Sequence, residues 1–65
     1  MAYNEILYHL RKEKGKTRKE VAEAIGVSQS SIAMYERGER KPPDKIKEAF
    51  ASYYKKSITA IFFAK

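Results

Sequence analysis

Few side chains in this chain can do covalent or metal chemistry. There is one histidine, His9, and no cysteine. A transition-metal site needs several such ligands, so no metal is expected. The serines at 28, 30 and 31 have no partner base to make one of them a nucleophile. Glycines 15, 26 and 38 are isolated and lack the spacing of a phosphate-binding loop. No catalytic residue, cofactor or small-molecule ligand is expected. What remains is the chemistry of recognition, for which Gln29, Ser30, Ala33 and Met34 are candidates, although by residue type and spacing alone they equally suit an ordinary exposed helix face. A glutamine amide donates and accepts at once and can pair with N6 and N7 of adenine. Serine does either, and Ala33 and Met34 can touch a thymine methyl.

Ser30, Ala33, Met34 and Arg37 fall on one side of a helix when each position advances by about 100°, with Gln29 on the flank at its N-terminal end. Ile32, Tyr35 and Glu36 fall on the other side. The outward face carries no large charged side chain before Arg37, so it can approach a base edge closely. Around it lie groups suited to phosphate: Thr17, Arg18, Lys19, Ser28, Ser31, Arg37, Arg40 and Lys41. Thr17 and Arg18 stand where free N–H groups at a helix start add to the side-chain charge.

The stretch TRKEVAEAIGVSQSSIAMY, residues 17–35, must position them. Thr17 and Glu20 have the spacing of a capping box, which opens a helix predicted to run from Arg18 to Ala24. Val21, Ala22 and Ile25 recur at helical spacing. Gly26 suits the left-handed end of that helix. Ser28 is an N-cap for a second helix reaching Arg37. The small Ala22 allows the two to approach closely. Two short helices around a tight turn form a helix-turn-helix.

Three further helices complete the reading. Tyr3, Ile6, Leu7 and Leu10 form an apolar stripe over residues 3–14, with Asn4 as a candidate cap. Residues 38–44, containing Pro42 and Pro43, read as a loop. Ile46, Phe50 and Tyr54 define a fourth helix ended by Lys55 and Lys56. Ser57 caps a short fifth helix carrying Ile58, Ile61 and Phe62. Nothing alternates with the period of a strand over a useful length. The expected fold is all-α, a five-helix bundle forming one domain over residues 1–65.

Composition narrows the partners. Lys and Arg number 14 against 8 Asp and Glu, a net charge of +6 in 65 residues. The sequence pI is about 9.7. Such a balance favours a polyanion. No apolar run approaches the ~18 residues of a membrane span, and the N-terminus lacks the pattern of a signal peptide. Absence of cysteine suits the cytoplasm. A chain this short buries only about 60% of its unfolded surface, which favours further burial by dimerisation. The aromatic residues Tyr53, Tyr54, Phe62 and Phe63 are the candidate dimer surface.

The run VAEAIGVSQSSIAMYERGERKPP closely resembles the Xre/Cro/C1 helix-turn-helix family of bacterial and phage DNA-binding regulators. The match extends from helix one to the segment from Ser57 to Phe62. It includes Ala22, Gly26, Ile32 and Tyr35, followed by Glu36, Arg37 and Gly38. The resemblance implies a lambda-repressor-like five-helix domain whose third helix, residues 28–37, reads the major groove. It implies double-stranded DNA with a pseudo-palindromic operator as partner, a homodimer on that DNA, and a transcriptional regulator acting as a repressor. Gln29, Ser30 and Met34 match base-reading positions, and Arg11 and Glu36 match a structural salt bridge. Arg18 stands where the family usually has Gln, Arg37 where it has Asn, and Lys47 where it has an apolar residue. Lys47 implies a rotated fourth helix. The alternative reading is a protein-interaction module, such as an antitoxin or a modification-system controller, using the aromatic C-terminus.

Overall fold

Local capping chemistry sets most of the helix boundaries. The computed structural model describes residues 1–63. It contains α1 (Tyr3–Lys14), α2 (Arg18–Ile25), α3 (Gln29–Arg37), α4 (Asp44–Tyr54) and α5 (Ile58–Phe62), with no strand among the described residues. Thr17 Oγ1 accepts from the Glu20 N–H at 3.1 Å, and Glu20 Oε1 accepts from the Thr17 N–H at 2.9 Å. The Thr17 backbone N–H first, and the Thr17 side chain second, hold the Glu20 carboxyl below the usual carboxylate range. Ser28 and Ser57 cap α3 and α5 in the same manner, through Ser31 N and Ala60 N.

One cap and two boundaries differ from the sequence expectation. Ala2, not Asn4, is the N-cap of α1, and Glu5 Oε1 accepts from the Ala2 N–H at 3.1 Å. Asn4 lies within the helix, and its amide packs against Gly38 at the end of α3. A Cβ at Gly38 would come within 3.2 Å of Asn4 Cγ, and Gly38 has φ of +75°. The left-handed backbone favours glycine there, and any larger residue would also push the Asn4 side chain aside by a few tenths of an ångström. Helix α2 continues one residue beyond Ala24, because Gly26 N–H still reaches Ala22 O at 2.8 Å. Helix α4 starts at Asp44, with Pro43 as its N-cap.

Leu7, Val21, Ile32, Phe50 and Ile61 are fully buried, one from each helix. Phe50 is the hub. Its ring meets Tyr35 edge-on at 5.9 Å, stacks with Tyr54 at 6.1 Å and tilts against Phe62 at 6.3 Å. Tyr54 and Phe62 therefore belong to the core and leave the candidate dimer surface. Tyr53 is half-buried and Phe63 is exposed.

Lys47 does not rotate α4. Phe50, Ala51 and Tyr54 still face inward. The Lys47 side chain is only 13% exposed, with its ammonium 5.8 and 5.3 Å from the Phe62 and Phe63 rings and 3.6 Å from Asp44. A long aliphatic stem lets lysine fill an apolar position while its charge reaches the edge.

The Tyr54 hydroxyl is buried and has no hydrogen-bond partner among the described residues. Burial, reinforced by the charge of Glu36, pushes its pKa well above the ordinary tyrosine range. The folded state thus prefers the neutral phenol. Its contribution is complete below about pH 10, where unfolded tyrosine begins to ionise, and falls as the pH rises further. Tyr54→Phe is expected to change stability at pH 7 by no more than about 1 kcal/mol and to lessen the alkaline loss. Urea unfolding at neutral and alkaline pH checks this. An equal alkaline loss in the variant would assign the effect elsewhere.

Candidate nucleic-acid interface

Helices α2 and α3 meet through the turn at Gly26, where φ is +90°. Val21 and Ala22 on α2 and Ile32 and Tyr35 on α3 are buried together. This packing fixes the direction of α3 and leaves its opposite face outward. Gln29 and Ser30 are exposed, and their side chains make no hydrogen bond among the described residues. Ala33 and Met34 are half-buried one turn further on. The four residues are thus brought together along one edge of α3. Unpaired amide and hydroxyl groups beside an apolar pair can engage base edges and a thymine methyl.

The serines flanking this edge are already partnered. Ser28 Oγ donates to Ser31 Oγ at 2.9 Å while accepting from the Ser31 N–H at 3.0 Å. The Ser31 hydroxyl keeps its own proton for an outside acceptor.

Lys19, Arg40 and Lys41 are exposed. The loop that carries Arg40 and Lys41 is tied down. Tyr3 Oη donates to the Arg40 carbonyl at 3.0 Å, Lys41 Nζ sits 6.0 Å from the Tyr3 ring centre, and Pro42 is buried. These cations are held near α3 on a braced segment, which reduces the freedom lost on binding.

Two of the three arginines expected at phosphates, Arg37 and Arg18, are engaged by carboxylates. Arg37 grips Glu39 through Nε at 2.9 Å and Nη2 at 3.0 Å, and both side chains are exposed. Arg18 Nε lies 3.1 Å from Glu36 Oε1. Neither contact was read from the sequence. Glu39 lies past the end of α3, where helical spacing says nothing about neighbours. Arg18 and Glu36 meet only because α2 packs on α3.

Glu36 also receives Arg11, whose Nε is 2.7 Å from Oε2 and whose Nη2 is 3.1 Å from Oε1. Arg11 Nη1 donates to the Lys16 carbonyl at 3.0 Å. The side-on bond to Glu36 raises the Arg11 pKa, outweighing the opposing effect of burial. Arg11 and Glu36 join α1 to the end of α3 and thereby orient the outward edge.

Beside this group is an open cleft of about 500 Å³ lined by Arg11, Lys12, Gly15, Lys16, Thr17 and Arg18. Among the described residues no group of His, Cys, Asp and Glu can hold a metal ion, and no helix is long and apolar enough to cross a membrane.

Five helices with α2 and α3 packed around a glycine turn, and an unpaired polar edge on α3, define a helix-turn-helix domain. A helix-turn-helix family model matches residues 7–61. The chain belongs to that family, of the Xre/Cro/C1 type. Its fold is similar to that of the P22 c2 repressor, solved in complex with synthetic operator 9T in the presence of Tl+. The TM-score is 0.92 at 21% identity, covering 95% of this chain and 94% of that one. It is also similar to a transcriptional regulator from Listeria innocua, with a TM-score of 0.90, 30% identity and 97% of this chain covered. The chain spans 59% of that protein's length. No curated protein sequence matches the chain.

Proposed function

We propose that this protein binds double-stranded DNA in a sequence-dependent manner as a transcriptional repressor, placing α3 in the major groove. The observation that carries the reading is the unpaired Gln29–Ser30 edge of α3, held outward by Ile32, Tyr35 and Glu36 and flanked by braced cations. The family and the similarity to an operator-bound repressor support it. Gln29, Ser30, Ala33 and Met34 read bases. Thr17, Lys19, Ser31, Arg40 and Lys41 hold the backbone, joined by Arg18. Two copies would place their α3 helices in successive major grooves about 34 Å apart, on a pseudo-palindromic site. Repression follows from occluding a promoter.

Dimerisation is part of this proposal. Its surface narrows to Tyr53 and Phe63, since Tyr54 and Phe62 are in the core. Phe63 is 57% exposed. The protein-interaction alternative would have to use the same reduced surface.

Selection of bound sequences from a random duplex pool tests function and symmetry together. A palindromic consensus is expected, and no enriched sequence would refute the proposal. Gln29→Ala is expected to lose about 1–3 kcal/mol of discrimination at one base position, with the other positions kept. Unchanged preference in the same selection would remove Gln29 from the reading face.

A further inference from the structure

Arg11, Glu36 and Arg18 form a triad of two guanidinium groups on one carboxylate. The Arg11 side chain is 9% exposed and that of Glu36 only 3%, whereas Arg18 is 36% exposed. Arg11 already occupies both oxygens of Glu36. Arg18 adds a third bond through Nε alone, and its two Nη groups have no hydrogen-bond partner among the described residues. The triad keeps one positive charge in excess, at its only half-exposed member. That member opens α2, and it lines the cationic cleft with Lys12, Lys16 and Thr17.

We propose that Glu36 is a positioning residue for DNA-backbone binding. It holds Arg18 by Nε so that the two Nη groups face outward as a fixed fork for one phosphate. This rests on the DNA-binding reading above and adds a role to a residue that otherwise only braces α1 against α3. A guanidinium can serve both partners at once because its donors lie on separate edges of one plane. Lysine, whose three donors share one nitrogen, cannot present a planar two-nitrogen fork to the phosphate while it is held by the carboxylate. The carboxylate thus aids binding of a polyanion that it would otherwise repel.

The test uses the whole chain with a random-sequence 20-bp duplex and the selected consensus, titrated at several salt concentrations. Arg18→Gln is expected to reduce the salt slope by about 1. Arg18→Lys is expected to keep the slope and weaken binding about tenfold on both duplexes. Glu36→Gln, at a temperature where circular dichroism shows it folded, is expected to weaken binding in the wild-type background and not in Arg18→Gln. Removal of a negative charge alone would tighten binding in both.

The Arg18 Nε–H resonance of the unmodified protein is expected to be slow to exchange with water, a readout independent of whether Glu36→Gln folds. Wild-type affinity in Arg18→Lys, tighter binding by folded Glu36→Gln, or fast exchange at Arg18 Nε would each overturn the proposal. Failure of the wild-type chain to bind either duplex would overturn the DNA-binding reading itself.

Discussion

Glu36→Ala is expected to lower stability by about 3–5 kcal/mol, because it strands a buried guanidinium. The midpoint of thermal unfolding is expected to fall by at least about 15 °C in a domain of this size. Three donors lose their acceptor together, Arg11 Nε, Arg11 Nη2 and Arg18 Nε, and the Arg11 side chain is only 9% exposed. A 65-residue chain has only about 3–10 kcal/mol in total. Removing Arg18 by Ala is expected to cost less than about 1 kcal/mol, since its half-exposed guanidinium is screened by water. The double change Arg11→Met with Glu36→Leu is expected to recover much of the loss, because apolar side chains of similar volume need no partners. Chemical denaturation of the four proteins measures all of this. A loss below about 1 kcal/mol for Glu36→Ala would mean the pair behaves like one at the surface.

Raising the salt from about 50 to 200 mM is expected to weaken DNA binding by about 250- to 1,000-fold per protomer. The slope of log affinity against log salt is expected near −4 to −5 per protomer, as for about four to six neutralised phosphates. Lys19, Arg40 and Lys41 are exposed on the rim and Arg18 is half-exposed. Arg37 is bound on two donors by Glu39, which places the slope towards the shallow end of that range. Fluorescence anisotropy of a labelled duplex at four salt concentrations gives the slope directly. A value shallower than about −2 would show that these cations do not form the phosphate grip.

The helices were legible because their signals are local. Thr17 with Glu20, the caps Ser28 and Ser57, and the glycines at the helix ends act within one turn of chain. The stripe of Ile32 and Tyr35 needs only the period of the helix. Where local chemistry was equivocal the expectation failed. Asn4 is a good capping residue, yet Tyr3 is needed inside α1, where its ring lies 6.0 Å from Phe62 and its hydroxyl holds the Arg40 carbonyl. The helix starts at Tyr3 as its apolar stripe implies, and the cap is Ala2.

The candidate interface divides the same way. From sequence alone came the five helices, the outward edge at Gln29, Ser30, Ala33 and Met34, and the positive charge around it. These follow from side-chain type and helical period, which need no knowledge of what lies opposite. Only the tertiary structure decided which cations are held and by what. Arg18 and Glu36 are 18 residues apart and Arg11 and Glu36 are 25 apart. Their meeting depends on the angles at which α1 and α2 cross α3. The same applies to Tyr54 and Phe62, whose aromatic character signals burial without saying whether it occurs within one chain or between two. Packing around Phe50 places both rings in this chain's own core.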